Sequence, residues 1–118
     1  MNQQNADITI YHNPRCSKSR ATLELIQNHE PAIVEYLKTP PTTEQLSNIL
    51  DMLGMEPREL MRKGEAAYKE NQLDNDSLSR DALIQAMVEH PILIERPIVI
   101  ANGKAAIGRP PESVLDIL

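Results

Sequence analysis

Residues 7–37 read as strand, polar turn, helix and strand in succession, and that order leaves few folds open. Residues 7–11, DITIY, put Ile8 and Ile10 on one face of a β-strand. The polar stretch HNPRCSKSR, residues 12–20, follows. Ala21, Leu23, Leu25 and Ile26 then begin an apolar pattern of helical period, so a helix is expected from about Cys16 to Asn28. AIVEYL, residues 32–37, is a second short strand. Strand, helix and strand in so short a compass point to a βαβ unit with parallel strands.

The middle of the chain is helical in pattern. Thr42 with Gln45 fits a capping box, Leu46, Ile49, Leu50 and Leu53 form an apolar face, and Gly54 fits a helix stop. EPRELMRKG, residues 56–64, reads as a short helix with Pro57 near its start. Residues 65–78 are polar and poorly periodic. Residues 79–90 read as a helix capped by Ser79, striped by Leu83, Ile84, Met87 and Val88 and closed by Pro91. PIVIA, residues 97–101, is a β-branched strand, Asn102-Gly103 a hairpin turn, and KAAIG, residues 104–108, the partner strand. Pro110 and Pro111 suit the start of a final helix. The expectation is one α/β domain over residues 1–118: a small mixed sheet, βαβ … ββα, with helices on its faces and a helical segment inserted at about residues 42–90.

Charge and composition narrow the function. A net charge of −5 spread along the chain argues against nucleic acid as the main partner. Phe and Trp are absent and there are three tyrosines, so the core is aliphatic and no base-stacking platform exists. The start, MNQQNADITI, lacks the basic and apolar regions of a signal peptide, and no run approaches the roughly 18 apolar residues of a membrane span. One cysteine allows no internal disulfide. A cytoplasmic setting is expected, with no membrane partner. The three histidines are scattered without metal-ligand spacing and no glycine-rich nucleotide loop is present, so neither a metal nor a bound cofactor is expected.

That single cysteine, Cys16, falls at the strand-to-helix turn, at or near a helix N-terminus. Amide protons without helical partners and the helix dipole converge there, and both favour an anion. A cysteine so placed titrates below its free value of about 8.5, and the thiolate is the nucleophile. Its neighbours His12, Asn13, Arg15, Ser17, Lys18, Ser19 and Arg20 are polar or charged, which does not suit a core cysteine. Three arginines stand out by setting: Arg62, Arg96 before Pro97 at the start of a strand, and Arg109 between Gly108 and Pro110-Pro111. Pro97 is a candidate for a cis peptide bond. Arginine gives the forked grip that a tetrahedral oxyanion needs, and a thiolate cannot readily approach an anionic substrate without such neutralisation.

From about residue 7 to 118 the chain resembles the ArsC family, glutaredoxin-coupled arsenate reductases with a thioredoxin-like core. The resemblance rests on ITIYHNPRCSKSR, YLKTPPT, ELMRKGEAAY, HPILIERPIVI and GRPPESVLDIL, in that order. It implies that Cys16 is the nucleophile and that Arg62, Arg96 and Arg109 bind the oxyanion. It further implies that Pro97 is the cis-proline of thioredoxin-like folds, that His12 helps depress the thiol pKa and that Ser19 hydrogen-bonds the thiolate. His12 equally fits a loop histidine satisfied by backbone, and Ser19 a first-turn helix residue.

The implied reaction starts with arsenate among the arginines. Cys16 attacks arsenic, glutathione follows as co-substrate, and glutaredoxin resolves the adduct as arsenite leaves. A monomer is expected. With no second cysteine any reductive cycle must borrow electrons from an external thiol. Two alternatives share the fold. One is an Spx-like regulator of RNA polymerase, whose usual CxxC switch this chain lacks. The other is a monothiol, glutathione-linked oxidoreductase using Cys16-Ser17-Lys18-Ser19. A phosphatase-type arsenate reductase would need Arg six positions after the cysteine, where Thr22 stands.

Overall fold

The structure is a computed structural model that describes residues 8–118. Asp7, the expected first residue of the leading strand, lies outside the described residues. The chain divides into two compact units, one formed by the chain up to Thr39 together with Arg96–Leu118, the other by Pro40–Glu95. Among the described residues no helix is long and apolar enough to cross a membrane.

The first unit is a mixed sheet of four strands in the order β2-β1-β3-β4. β1 (Ile8–His12) pairs in parallel with β2 (Ala32–Glu35) and antiparallel with β3 (Ile98–Ala101), which pairs antiparallel with β4 (Lys104–Ile107). The expected α/β mixed sheet is therefore present. Asn102 and Gly103 both take positive φ, 57° and 74°, as the tight turn between twisted antiparallel strands requires. Asn102 Nδ2 donates to the Ile117 carbonyl at 2.8 Å, tying the hairpin tip to the C-terminal segment.

Register decides what the sheet buries. Ile8 lies opposite Ala101 and Ile10 opposite Val99, so these four side chains share one face. Helix α1 (Ser17–Ile26) lays Ile26 and Leu23 on that face, and Val114, Ile117 and Leu118 complete the cluster. Sequence and structure differ at several ends. α1 stops at Ile26 and tightens into a 3₁₀ turn at Gln27–His29, with Glu30 left-handed (φ 51°) to turn the chain toward β2. The final helix expected after Pro110 is a 3₁₀ segment, Pro111–Ile117, whose one fully buried side chain, Val114, anchors it to the cluster.

The second unit is helical. α2 (Thr43–Leu53) has the expected capping box, with the Thr42 hydroxyl accepting from the Gln45 amide at 3.0 Å and the Gln45 side chain accepting from the Thr42 amide at 2.9 Å. Gly54 ends it in the left-handed conformation. α3 (Pro57–Leu60) is shorter than its sequence span, and α4 (Ala66–Glu70) is a short helix within the stretch that showed no clear period. α5 (Arg80–Glu89), capped by Ser79, packs against α2, and the Arg80 guanidinium bonds Asp51 at 3.0 Å.

Ile10 is wholly buried at the centre of the sheet. Ile10→Ala should therefore cost about 2–5 kcal/mol, the usual range for a large core aliphatic cut to Ala. Urea unfolding measures it, and a loss below ~1 kcal/mol would contradict the packing described.

Candidate active site

β1 ends in a turn that delivers Cys16 to the head of α1. The Cys16 amide donates to the Asn13 carbonyl at 3.0 Å, and the Asn13 side chain accepts from the Arg15 amide at 3.0 Å. Arg20 Nη1 donates back to the Pro14 carbonyl at 2.9 Å. Three short bonds thus hold four residues of loop. Cys16 is the N-cap residue of α1, in extended backbone, with its carbonyl accepting the first helical bond from Arg20. A thiol sits where a serine or threonine hydroxyl more often accepts from the second and third helical amides.

The electrostatics follow from that position. Partial burial alone would push the Cys16 thiol up. It is outweighed by the Ser19 amide, by a hydrogen bond and the positive charge from Arg96, and by the Lys18 amide, so the thiol titrates below its ordinary value. No side-chain cap hydrogen bond of full geometry closes on Sγ, yet both amides face the sulfur closely enough to favour its anion. Cys16 is partly exposed, as a nucleophile must be.

Ser19 meets the thiol through its backbone amide. Its hydroxyl is buried and taken up elsewhere: Oγ accepts from the Asn13 amide at 3.0 Å and lies 2.7 Å from His12 Nδ1. Burial lowers the His12 pKa, against the pull of Glu35 and with the help of Arg20, so the ring is neutral at neutral pH. A neutral ring can accept the Ser19 proton at Nδ1. His12, Ser19 and Asn13 together fix the loop that aims the first-turn amides at Sγ.

Arg96 and Pro97 lie where β3 begins. The Arg96–Pro97 peptide is cis, as the sequence suggested; the Arg109–Pro110 peptide is cis too, which sequence reading missed. Arg109 Nη1 donates to the Arg96 carbonyl at 3.3 Å, bringing both guanidinium-bearing residues to one corner of the sheet unit. Cys16, His12, Ser19, Arg96, Pro97 and Arg109 thus all belong to that unit. Arg62 belongs to the helical unit. Its amide donates to the Leu93 carbonyl at 2.7 Å, and its guanidinium bonds Glu65 at 2.6 Å and approaches Glu95 at 3.8 Å.

A cavity of about 190 Å³ opens at the carboxyl ends of β1 and β2, lined by His12, Asn13, Pro14, Arg15, Glu35, Leu37 and Lys38. A larger depression of about 420 Å³ between α2 and α5 has no thiol and no cation in its lining. Chemistry favours the smaller one, a turn away from Cys16. Sequence reading also missed the Lys18 amide, since a main-chain donor leaves no signature in side-chain identity.

Known proteins agree on where this chain sits. Residues 11–117 match the ArsC family. The chain is 59% identical over 114 residues to the uncharacterized protein YfgD of Escherichia coli K12, covering 94% of this chain and 96% of that one. It is 50% identical to an arsenate reductase of Neisseria meningitidis serogroup A, over 95% and 98% of the two chains. Among solved structures, the arsenate reductase from Vibrio cholerae superposes with a TM-score of 0.90 at 54% identity, covering 94% of this chain and 97% of that one. The sheet and helices are the thioredoxin-like α/β architecture of those structures.

The thiol shift has a sign that can be tested. A folded pKa below the unfolded one means that the unfolded chain holds more protons between the two values. Stability of the reduced protein should rise with pH across that window and be lost as pH falls through the folded pKa; Cys16→Ser should remove that dependence. Arg96→Ala should move the thiol titration upward, followed by ultraviolet thiolate absorbance. An unmoved titration would show that Arg96 does not act on the sulfur.

Proposed function

This chain belongs to the ArsC family, and on that footing we propose that it is an arsenate reductase in which Cys16 is the nucleophile and glutathione and glutaredoxin complete the cycle. The observation that supports this best is the convergence on one sulfur of the Ser19 and Lys18 amides and the Arg96 guanidinium. The same positive potential that keeps the thiol ionised also draws in an oxyanion, so nucleophile and substrate share one electrostatic field.

In this reading Arg96 and Arg109 neutralise arsenate as it approaches. The Cys16 thiolate forms a sulfur–arsenic bond, and one arsenate oxygen leaves as water after taking up protons. Arsenic remains pentavalent at this step. A glutathione thiolate then displaces a second arsenate oxygen, which leaves as water after taking up protons, and becomes a second sulfur ligand on arsenic. Glutaredoxin removes the glutathione sulfur as a mixed disulfide, leaving the electron pair on arsenic, and water then cleaves the bond between Cys16 sulfur and arsenic, releasing arsenite and restoring the thiol. Cys16 has no partner cysteine in the chain, so these electrons come from outside. The cavity beside the Asn13–Cys16 turn gives the entering tripeptide an approach, with Arg15 and Lys38 suited to its carboxylates and Glu35 to its ammonium. Arg62 is assigned to the oxyanion as well, by its match to the family pattern.

One alternative has an observation behind it. An acidic, partly exposed thiolate without a resolving cysteine also suits monothiol exchange on glutathione mixed disulfides.

Arsenate-dependent NADPH consumption, coupled through glutathione, glutaredoxin and glutathione reductase, separates the two. The wild type should turn over and Cys16→Ser should not. Arg109→Ala should lower kcat for arsenate by about 10²–10³, the usual effect of removing one oxyanion donor, while sparing disulfide exchange. Equal loss of both activities would favour the alternative.

A further inference from the structure

Gly108 directly follows β4 and is buried, and the space where its side chain would be is taken. A Cβ there would overlap Thr22 Oγ1 and would stand 3.0 Å from Thr22 Cγ2 and 2.9 Å from Pro97 Cγ. Real Cβ atoms essentially never approach a neighbour so closely. Rotating Thr22 aside would break the bond its hydroxyl makes. Its two branches both face the added atom, it is wholly buried, and its hydroxyl donates to the Lys18 carbonyl at 2.8 Å. The proline ring on the other side is equally fixed, and the Gly108 amide donates to the Pro97 carbonyl at 2.9 Å.

The two neighbours are significant because of what each carries. Thr22 is bonded to Lys18, in the first turn of α1. Pro97 is bonded covalently to Arg96. Gly108 is therefore wedged between the two supports of the Cys16 environment, the head of α1 and the start of β3. We propose that Gly108 is a positioning residue: by lacking a Cβ, it lets β4 end against Thr22 and Pro97 and so sets the spacing between the first turn of α1 and Arg96 around the Cys16 sulfur.

A methyl group at 108 would force α1 and the Arg96–Pro97 segment apart. The charged side chains near the sulfur in sequence or space (Arg15, Lys18 and Arg20 from the loop and α1, Arg96 and Arg109 from the strand side) would all be retained. Only the spacing would change. This requires no conformational strain at Gly108, since the steric conflict alone suffices.

The proposal rests on Cys16 being the attacking group, but its primary readout, the thiol titration, needs no arsenate. It can therefore fail while arsenate reduction stands, and hold if the substrate is another. The experiment is a thiol titration of Gly108→Ala beside wild type and the double variant Gly108→Ala/Thr22→Ala, each checked for native circular dichroism. Gly108→Ala should raise the Cys16 pKa by about one unit, a tenfold fall in the thiolate-to-thiol ratio below the pKa. The double variant, which removes both Thr22 contacts, should recover at least half of that shift. A folded Gly108→Ala protein with the wild-type titration would overturn the proposal, as would a double variant shifted as far as the single one. Should the single variant not fold, the double variant decides: a titration within about half a unit of wild type supports the spacing role, and a full-unit shift refutes it.

Discussion

The head of an α-helix leaves amide protons without helical partners, and something must accept them. In α1 the residue offered at that position is a cysteine, held in extended backbone by a turn that β1 delivers. Sulfur is a poor acceptor as a thiol and a good one as a thiolate, so the helix supplies its missing acceptor by favouring ionisation. Arg96 adds a full charge to the same place. The rest of the sheet unit can be understood from this arrangement. β1 fixes where the turn begins, β3 carries Arg96 to the sulfur, and the hairpin returns β4 so that Gly108 meets Thr22 and Pro97.

The polar residues behind the loop have a supporting role that their chemistry alone would not suggest. His12 could have acted as a cation beside the thiol. Burial keeps it neutral, and its ring is bonded to the Ser19 hydroxyl. That hydroxyl also accepts from the Asn13 amide, so the histidine shapes the loop through a short chain of hydrogen bonds. Arg62 shows a different arrangement in its own unit, where Glu65 and Glu95 share its charge between a helix start and a returning loop.

Much of this was legible in the sequence, for identifiable reasons. The β1–α1–β2 order could be read because the hydrophobic period changes sharply from two to the helical spacing around Cys16. Asn102-Gly103 marked the hairpin because few other pairs accept two positive φ values. Thr42 and Gln45 marked α2 because a capping box is a local device. Contacts between distant segments were not legible. Nothing local to Gly108 announces Thr22, and nothing local to Ser19 announces that His12 will take its hydroxyl. α4 escaped notice because it is a single short helix with no buried residue, and the final segment took 3₁₀ geometry because one buried anchor, Val114, suffices to dock it. Arg96 and Arg109 could be singled out by their proline neighbours, but that Arg109 bonds the Arg96 carbonyl is a fact of the folded corner alone.

The sheet unit is assembled from the two ends of the chain, with β1 and β2 coming first and β3 and β4 only after the helical segment has been made. β1 is an edge strand until β3 arrives to pair with it. During synthesis, therefore, Cys16 emerges well before Arg96, Gly108 or the C-terminal anchor exist, and contacts of such long sequence separation form late in folding. Throughout that interval the thiol lacks the Arg96 charge and has only the neighbouring amides of its own helix start. Its full acidity is a property of the finished chain, so the sulfur of a growing polypeptide is less activated than that of the protein it becomes.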